Sequence, residues 1–281
     1  MLASGVSLSA FSPFSYNEKR KEPLRVGLIG CGSRGRGLAL LMRNLPMVSL
    51  VACCDTIKEN LDKGLTQADK GAKGYKDYRE LLDQANVEAV IIATPLYLHF
   101  PMAMDAIDAG KHIYVEKTIT YSIEEAEKLA QKVNGTSTVL QVGHQYRYYE
   151  LYHKVKEIID QGWCGQVTQF ECQYHSNQSW RRPVNDPALE KHINWRMYKE
   201  FSGGLMTELC AQGIMSSVSS VLTNAYKGYS INILGTEGTI EIMRDKAFIY
   251  AEPKKMELGT VDGVSGATVK NASDGKAEPI L

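Results

Sequence analysis

From Leu24 to about Gly143, short apolar runs alternate with stretches whose apolar residues recur every three or four positions. The runs Leu24 to Ile29, Val48 to Cys54, Val87 to Ala93, His112 to Val115 and Thr138 to Val142 are rich in β-branched residues and bounded by Gly, Pro or Asp. That is the pattern of strands buried on both faces. Between them, Arg36 to Asn44, Lys58 to Asp69, Phe100 to Ala109 and Ile123 to Val133 read as helices, the last three with an apolar stripe. Gly110 stands where a helix ends in left-handed backbone, and Ser122 with Glu125 forms a capping box for the fourth helix. This alternation predicts βαβ units: an α/β domain over residues 23–145, with a doubly wound parallel sheet, preceded by an arm of residues 1–22.

After Gly143 the grammar changes. A helix over Glu150 to Gln161 is followed by strand-like stretches at Gln166 to His175, Met215 to Leu222, Gly228 to Leu234, Thr239 to Ile242 and Ala247 to Ala251. Consecutive strands joined by turns such as Gly235 to Gly238 and Arg244-Asp245 predict a second, α+β domain over residues 146–281, built on an open, mostly antiparallel sheet. The tail from Gly259 to Lys276, rich in Gly, Ser, Thr and Asp, reads as loosely ordered.

Composition changes this picture little. A chain of 281 residues with 44% hydrophobic and 23% charged residues can bury a sizeable core. Its 32 basic and 32 acidic residues cancel, so it lacks the positive surplus that phosphate backbones demand, and no nucleic-acid partner is expected. No run of eighteen apolar residues occurs, so no membrane span is expected either. The six cysteines form no C-x-x-C pair and have no histidine at metal-ligand spacing, so they read as small core residues rather than a metal site or a disulfide scaffold. Residues Met1 to Ala10 have two readings, the back half of an export signal lacking its charged start and a disordered arm, so an exported, periplasmic location and a cytoplasmic one both stay open.

Chemistry enters at Gly30-Cys-Gly32-Ser33-Arg34-Gly35, a G-x-G-x-x-G directly after a strand and opening a helix. Gly30 permits a tight turn, Gly32 lets the backbone approach a pyrophosphate, and Gly35 permits close helix packing. Asp55 follows at the end of the second strand, where a carboxylate accepts hydrogen bonds from both ribose hydroxyls and repels a 2′-phosphate. NAD is therefore favoured over NADP. The competing reading is a plain glycine turn with a helix-capping aspartate. Two more strand ends point at the same crevice: Thr94-Pro95 with His99, and Glu116-Lys117-Thr118. A lysine there, partly desolvated beside a cationic nicotinamide, suits proton acceptance; the alternative is a surface lysine paired with Glu116.

The set Gly30-x-Gly32-x-x-Gly35, Asp55, Thr94-Pro95, His99 and Glu116-Lys117, followed by Glu124-Glu125-Ala126, resembles the Gfo/Idh/MocA family, the glucose–fructose oxidoreductase and inositol dehydrogenase group. The similarity runs on through Val142 to Arg147, Gly162 to Val167, Gly203 to Leu209 and Leu234 to Thr239. The resemblance implies a Rossmann domain plus an open-sheet substrate domain that pairs with another copy. It implies NAD or NADP as cofactor, and a sugar, glycoside or cyclitol as substrate. It makes Lys117 the catalytic base, although Thr118 stands where the family usually has proline. It has Glu208 orient the substrate, sets His144 by the cofactor, and places Arg147, His192, Trp195 and Arg196 where substrate groups project. Family members usually carry a catalytic histidine just after the position of Ala211. Here Gln212-Gly-Ile-Met follows, so a segment of on the order of forty residues is expected to be missing between Ala211 and Gln212. His112, His153 and His175 read as structural or surface residues, and Tyr146, Tyr148, Tyr149 and Tyr152 as helix packing. Three functions follow: a sugar dehydrogenase; an NAD-dependent glycosidase working by transient oxidation at C3 and elimination; and, if the histidine-bearing segment is lost, a non-catalytic NAD-binding regulator.

Overall fold

The computed structural model describes residues 22–84, 86–175, 181–204, 217–221, 228–251 and 278–280. Outside them lie residues 1–21 of the expected arm, Glu208, the join of Ala211 to Gln212, and the tail from 259 to 276. The chain begins with β1 (Leu24–Ile29), α1 (Ser33–Met42), β2 (Val48–Cys54), α2 (Lys58–Leu65), β3 (Lys73–Tyr75) and α3 (Tyr78–Leu82). It continues with β4 (Ala89–Ile92), α4 (His99–Asp108), β5 (His112–Val115), α5 (Ile123–Asn134) and β6 (Leu140–Val142). These strands form one parallel sheet in the order β3-β2-β1-β4-β5-β6. Successive strands run outward from β1 in one direction and then from β4 in the other, which leaves a switch point between β1 and β4 where ligands of such sheets bind.

Burial explains why the runs are continuously apolar. One face packs Ile92, Ala103, Val115 and Leu129 under α3, α4 and α5; the other packs Leu28, Ala39, Leu50 and Cys53 under α1 and α2. Gly110 takes φ +69° after α4, as its position predicts. Ser122 Oγ accepts the Glu125 N–H at 3.3 Å, but the Glu125 carboxylate takes the Thr120 hydroxyl instead of returning to the cap, so only half of the expected box forms.

Several boundaries differ from expectation. Helix α1 starts at Ser33, not Arg36, because the glycine loop itself supplies the first turn. Helix α2 stops at Leu65, β4 spans only Ala89–Ile92, and β6 only Leu140–Val142. The pair β3 and α3 has no counterpart in the expected elements; three and five residues are too few to display a period.

The second sheet is built from β7 (Val167–His175), β8 (Ser217–Val221), β9 (Tyr229–Gly235), β10 (Gly238–Met243), β11 (Lys246–Ala251) and β12 (Glu278–Pro279), in the order β12-β11-β10-β9-β7-β8. All its pairs are antiparallel except β7 with β8. Helix α6 (Glu150–Asp160) lays Leu151 and Val155 on Ile233, Ile240 and Ile242. Two short helices, α7 (Glu190–Ile193) and α8 (Lys199–Ser202), lie in the connection from β7 to β8.

Candidate active site

The register of the parallel sheet brings the strand ends level. Tyr75 pairs with Cys54, Cys54 with Ile29, Ile29 with Ile92, Ile92 with Val115, and Val115 with Val142. The next residue of each strand therefore falls in one row, which sets Asp55, Gly30, Ala93, Glu116 and Gly143 side by side.

At β1 the chain turns through Gly30 at φ +94°, and a Cβ there would stand 2.8 Å from the Ala93 carbonyl. Gly35 is closer still: its Cβ would lie 1.9 Å from Gly30 O, so this glycine packs the helix against the loop and does not line the crevice. Around the direction of a Gly32 side chain there is nothing within 4 Å. No side chain caps α1, and its first turn holds no acidic residue, so the helix start is open to an anion. Asp55 Oδ2 accepts the Cys31 N–H and Oδ1 the Ile57 N–H, both at 2.8 Å. Each oxygen keeps acceptor capacity for a ribose hydroxyl. A glycine loop with empty space before it, an uncapped helix start and a carboxylate at the second strand end fit a dinucleotide.

Arg34 reaches from the loop to the end of β5. Its Nε donates to Glu116 Oε1 at 2.8 Å and its Nη2 to Gln145 Oε1 at 3.2 Å, while Tyr114 Oη donates to Glu116 Oε1 at 3.3 Å. Burial works against the Arg34 charge, but the Glu116 carboxylate outweighs it and raises the guanidinium above its ordinary value. Glu116 is therefore the partner of Arg34. Lys117 follows it, joined to Thr118 by a cis peptide bond. His99, 2% exposed, sets Nδ1 2.7 Å from Thr118 O and Nε2 3.0 Å from Thr94 O, and so ties the loops after β4 and β5 together. His144 is shifted below its ordinary value by burial, then by Arg147 and Lys117; its Nδ1 is buried without a hydrogen-bond partner. The Cys31 thiol is pushed up by contact with Cys53 and by burial, and that of Cys54 to about 12 by burial, so both buried thiols stay protonated.

Most of these groups open on one crevice of about 1630 Å³; Gly35, Tyr114 and Cys31 lie behind it. Among the described residues its lining includes Gly30, Gly32, Ser33, Arg34, Asp55, Thr94, Pro95, His99, Glu116, Lys117, His144, Arg147, His192, Trp195 and Arg196. Every candidate read from the sequence is thus present except Gly35, which packs behind the loop, and Glu208, which lies outside the described residues. Trp195 is 8% exposed with the Arg196 guanidinium 4.2 Å over its ring, which leaves little of its face for a sugar.

Some expectations need correction. Tyr146, Tyr148 and Tyr152, read as helix packing, line the crevice; the exposed His153, read as structural or surface, borders it as well. Tyr146 stacks on Tyr229 of β9 at 6.2 Å, and the Tyr152 and Tyr229 hydroxyls are 2.5 Å apart. Burial raises both phenols, so they stay protonated. Sequence reasoning missed Gln145, Arg182, Asn194 and Tyr229. Gln145 lies within the quoted stretch Val142 to Arg147 and Asn194 adjoins Trp195, but nothing local marks the other two.

The fold and this site define a dinucleotide-binding Rossmann protein. Residues 24–144, less than half of the chain, match the model of an oxidoreductase family with an NAD-binding Rossmann fold, the Gfo/Idh/MocA family. A glycosyl hydrolase family 109 protein of Shewanella sp. (strain ANA-3) is 31% identical over 196 residues, 66% of this chain and 42% of its own. A levoglucosan dehydrogenase of Pseudarthrobacter phenanthrenivorans is 29% identical over 187 residues, 64% of this chain and 46% of its own. The chain thus spans less than half the length of the curated relatives it matches. Among solved structures, levoglucosan dehydrogenase in complex with NADH and levoglucosan superposes with a TM-score of 0.71 at 19% identity, over 92% of this chain and 80% of that one, a likeness of fold.

Proposed function

We propose that this protein is an NAD-dependent oxidoreductase acting at a hydroxyl-bearing carbon of a carbohydrate. The observation that carries the reading is the row of strand ends, in which the Gly30 turn and Asp55 share one crevice with Glu116-Lys117. NAD, when bound, accepts or returns a hydride. The protein's own part is geometric and acid–base. Asp55 receives the ribose hydroxyls and disfavours a 2′-phosphate. Arg34 holds Glu116 and thereby the strand end that presents Lys117, and the Lys117 amine takes the proton of the substrate hydroxyl. His99 fixes the two loops on either side.

A second reading is supported by the relatives named as family 109 glycosyl hydrolases, one of them an alpha-N-acetylgalactosaminidase of Shewanella oneidensis, 29% identical over 188 residues. In that reading NAD, when bound, would take a hydride from C3 of a glycoside held by the same groups, which acidifies the C2 proton. Loss of that proton expels the aglycone from C1, water adds across C1 and C2, and the hydride returns to C3, so no NADH accumulates. Absorbance at 340 nm with free sugars and nitrophenyl glycosides separates the two. Accumulating NADH supports the dehydrogenase, nitrophenol release without it supports the glycosidase, and neither signal across both panels refutes a catalytic role.

A further inference from the structure

The crevice carries charge of one sign beyond the row of strand ends. Its only acidic lining residues among the described ones, Asp55 and Glu116, stand in that row and are engaged, Asp55 by two backbone N–H groups and Glu116 by Arg34. Past the row the lining supplies Arg147, Arg182 and Arg196 and no carboxylate. Arg196 lies on Trp195. Neither Arg147 nor Arg182 has a carboxylate partner among the described residues, whereas the neighbouring Arg181 pairs with Glu190 at 2.5 Å.

Arg182 is held in place rather than merely exposed. Its N–H donates to Asn194 Oδ1 at 2.7 Å, and its carbonyl accepts from Asn194 Nδ2 at 2.9 Å. Asn194 is itself 2% exposed and also donates to Glu190 Oε2 at 3.1 Å. A buried asparagine thus clamps the main chain of Arg182 from both sides and directs this residue, not Arg181, to the crevice. Arg147 follows β6, four strands from Asp55 at the end of β2, or roughly 19 Å at the usual strand spacing, so the Asp55 carboxylate does not neutralise it. Arginines without carboxylate partners, in a partly enclosed crevice, are complementary to a planar or tetrahedral oxyanion, which each can grip with two N–H groups.

We propose that the substrate sugar carries an anionic substituent, a carboxylate or an ester sulfate, received by Arg182 and Arg147. This deepens the carbohydrate reading above and rests on it. The test is calorimetric titration of the full chain, saturated with NADH, with two matched pairs: methyl glucuronide against methyl glucoside, and N-acetylgalactosamine 6-sulfate against N-acetylgalactosamine. At least one acidic sugar should bind about tenfold or more tighter than its neutral partner, with the advantage shrinking as salt rises to about 0.5 M. A preference confined to the first pair identifies a carboxylate, and one confined to the second a sulfate. Arg182→Gln and Arg147→Gln should each lower the acidic-to-neutral ratio while NADH affinity, the check on folding, is retained; Arg182→Lys should restore part of it. Equal affinities within both pairs, no binding of either acidic sugar, or an advantage that survives both glutamine variants overturns the proposal. Its failure is distinguishable from that of the reading beneath it. Turnover of neutral sugars without an acidic preference removes only the oxyanion. Tight acidic binding with neither NADH nor aglycone formed removes only the reaction.

Discussion

Glu116 and Lys117 are adjacent, yet their side chains do different work. Glu116 is 7% exposed and locked to the nucleotide loop through Arg34, so it positions the strand end; Lys117 is the group to which the proposed function gives the proton transfer. Replacing Lys117 with Met keeps the volume and removes the amine. Turnover should fall by ~100-fold or more with NAD affinity unchanged, the loss expected for a general base; near wild-type turnover would make the lysine a bystander. His144 gives a test on stability. Its folded-state affinity for protons is depressed below the ordinary 6.5, first by burial and then by Arg147 and Lys117. Between the folded and unfolded values the unfolded chain binds more protons, so the contribution is present above pH 6.5 and is lost as the pH falls below it. Urea unfolding across about pH 5 to 8 should therefore show stability declining on the acid side, and His144→Asn should flatten that decline. An unchanged slope in the variant would mean the histidine is not buried neutral.

At the scale of elements, α1 carries two glycines with opposite roles. A methyl at Gly35 would lie 1.9 Å from Gly30 O, so Gly35→Ala must push the helix off the loop, at a cost of about 1–3 kcal/mol and with loss of dinucleotide affinity. At Gly37 nothing lies within 4 Å, and alanine there should stabilise the helix by about 0.5–1 kcal/mol. Thermal unfolding and NADH titration of the two variants check both signs. The same contrast shows what a sequence reveals. A strand such as Ala89–Ile92 is legible because burial on both faces leaves an unbroken apolar run, and the site residues beyond its end inherit that legibility. Residues 73–75 and 78–82 are not legible, being an edge strand and a helix of barely one turn. Arg182 and Tyr229 reach the crevice only through the packing of the β7–β8 connection and of β9, pairings remote along the chain for which no local spacing exists. His153 looks like surface because α6 is amphipathic, and it is exposed, bordering the crevice only through the tertiary arrangement.

For the molecule as a whole, a net charge of zero conceals a crevice with a carboxylate at its nucleotide end and arginines at the other. On the side of the second sheet the crevice is walled by the stacked rings of Tyr146 and Tyr229 and by the Tyr152–Tyr229 hydroxyl pair. A ligand that fills the crevice from the strand-end row therefore stabilises the folded chain by mass action, by about 2.7 kcal/mol at a hundredfold excess over Kd. For a chain of this length that is a rise in Tm of roughly 4–6 °C. NAD should produce it, and NADP at the same concentration should give a clearly smaller rise, since a 2′-phosphate would face the Asp55 carboxylate at the end of β2. Asp55→Ser should bring the two cofactors closer together by removing the repulsion. It also removes the acceptors of the Cys31 and Ile57 N–H groups, so the variant's Tm without ligand should itself fall, and the comparison is made between shifts. Equal shifts for NAD and NADP in the wild-type chain would show that the aspartate serves the loop alone and does not select the cofactor.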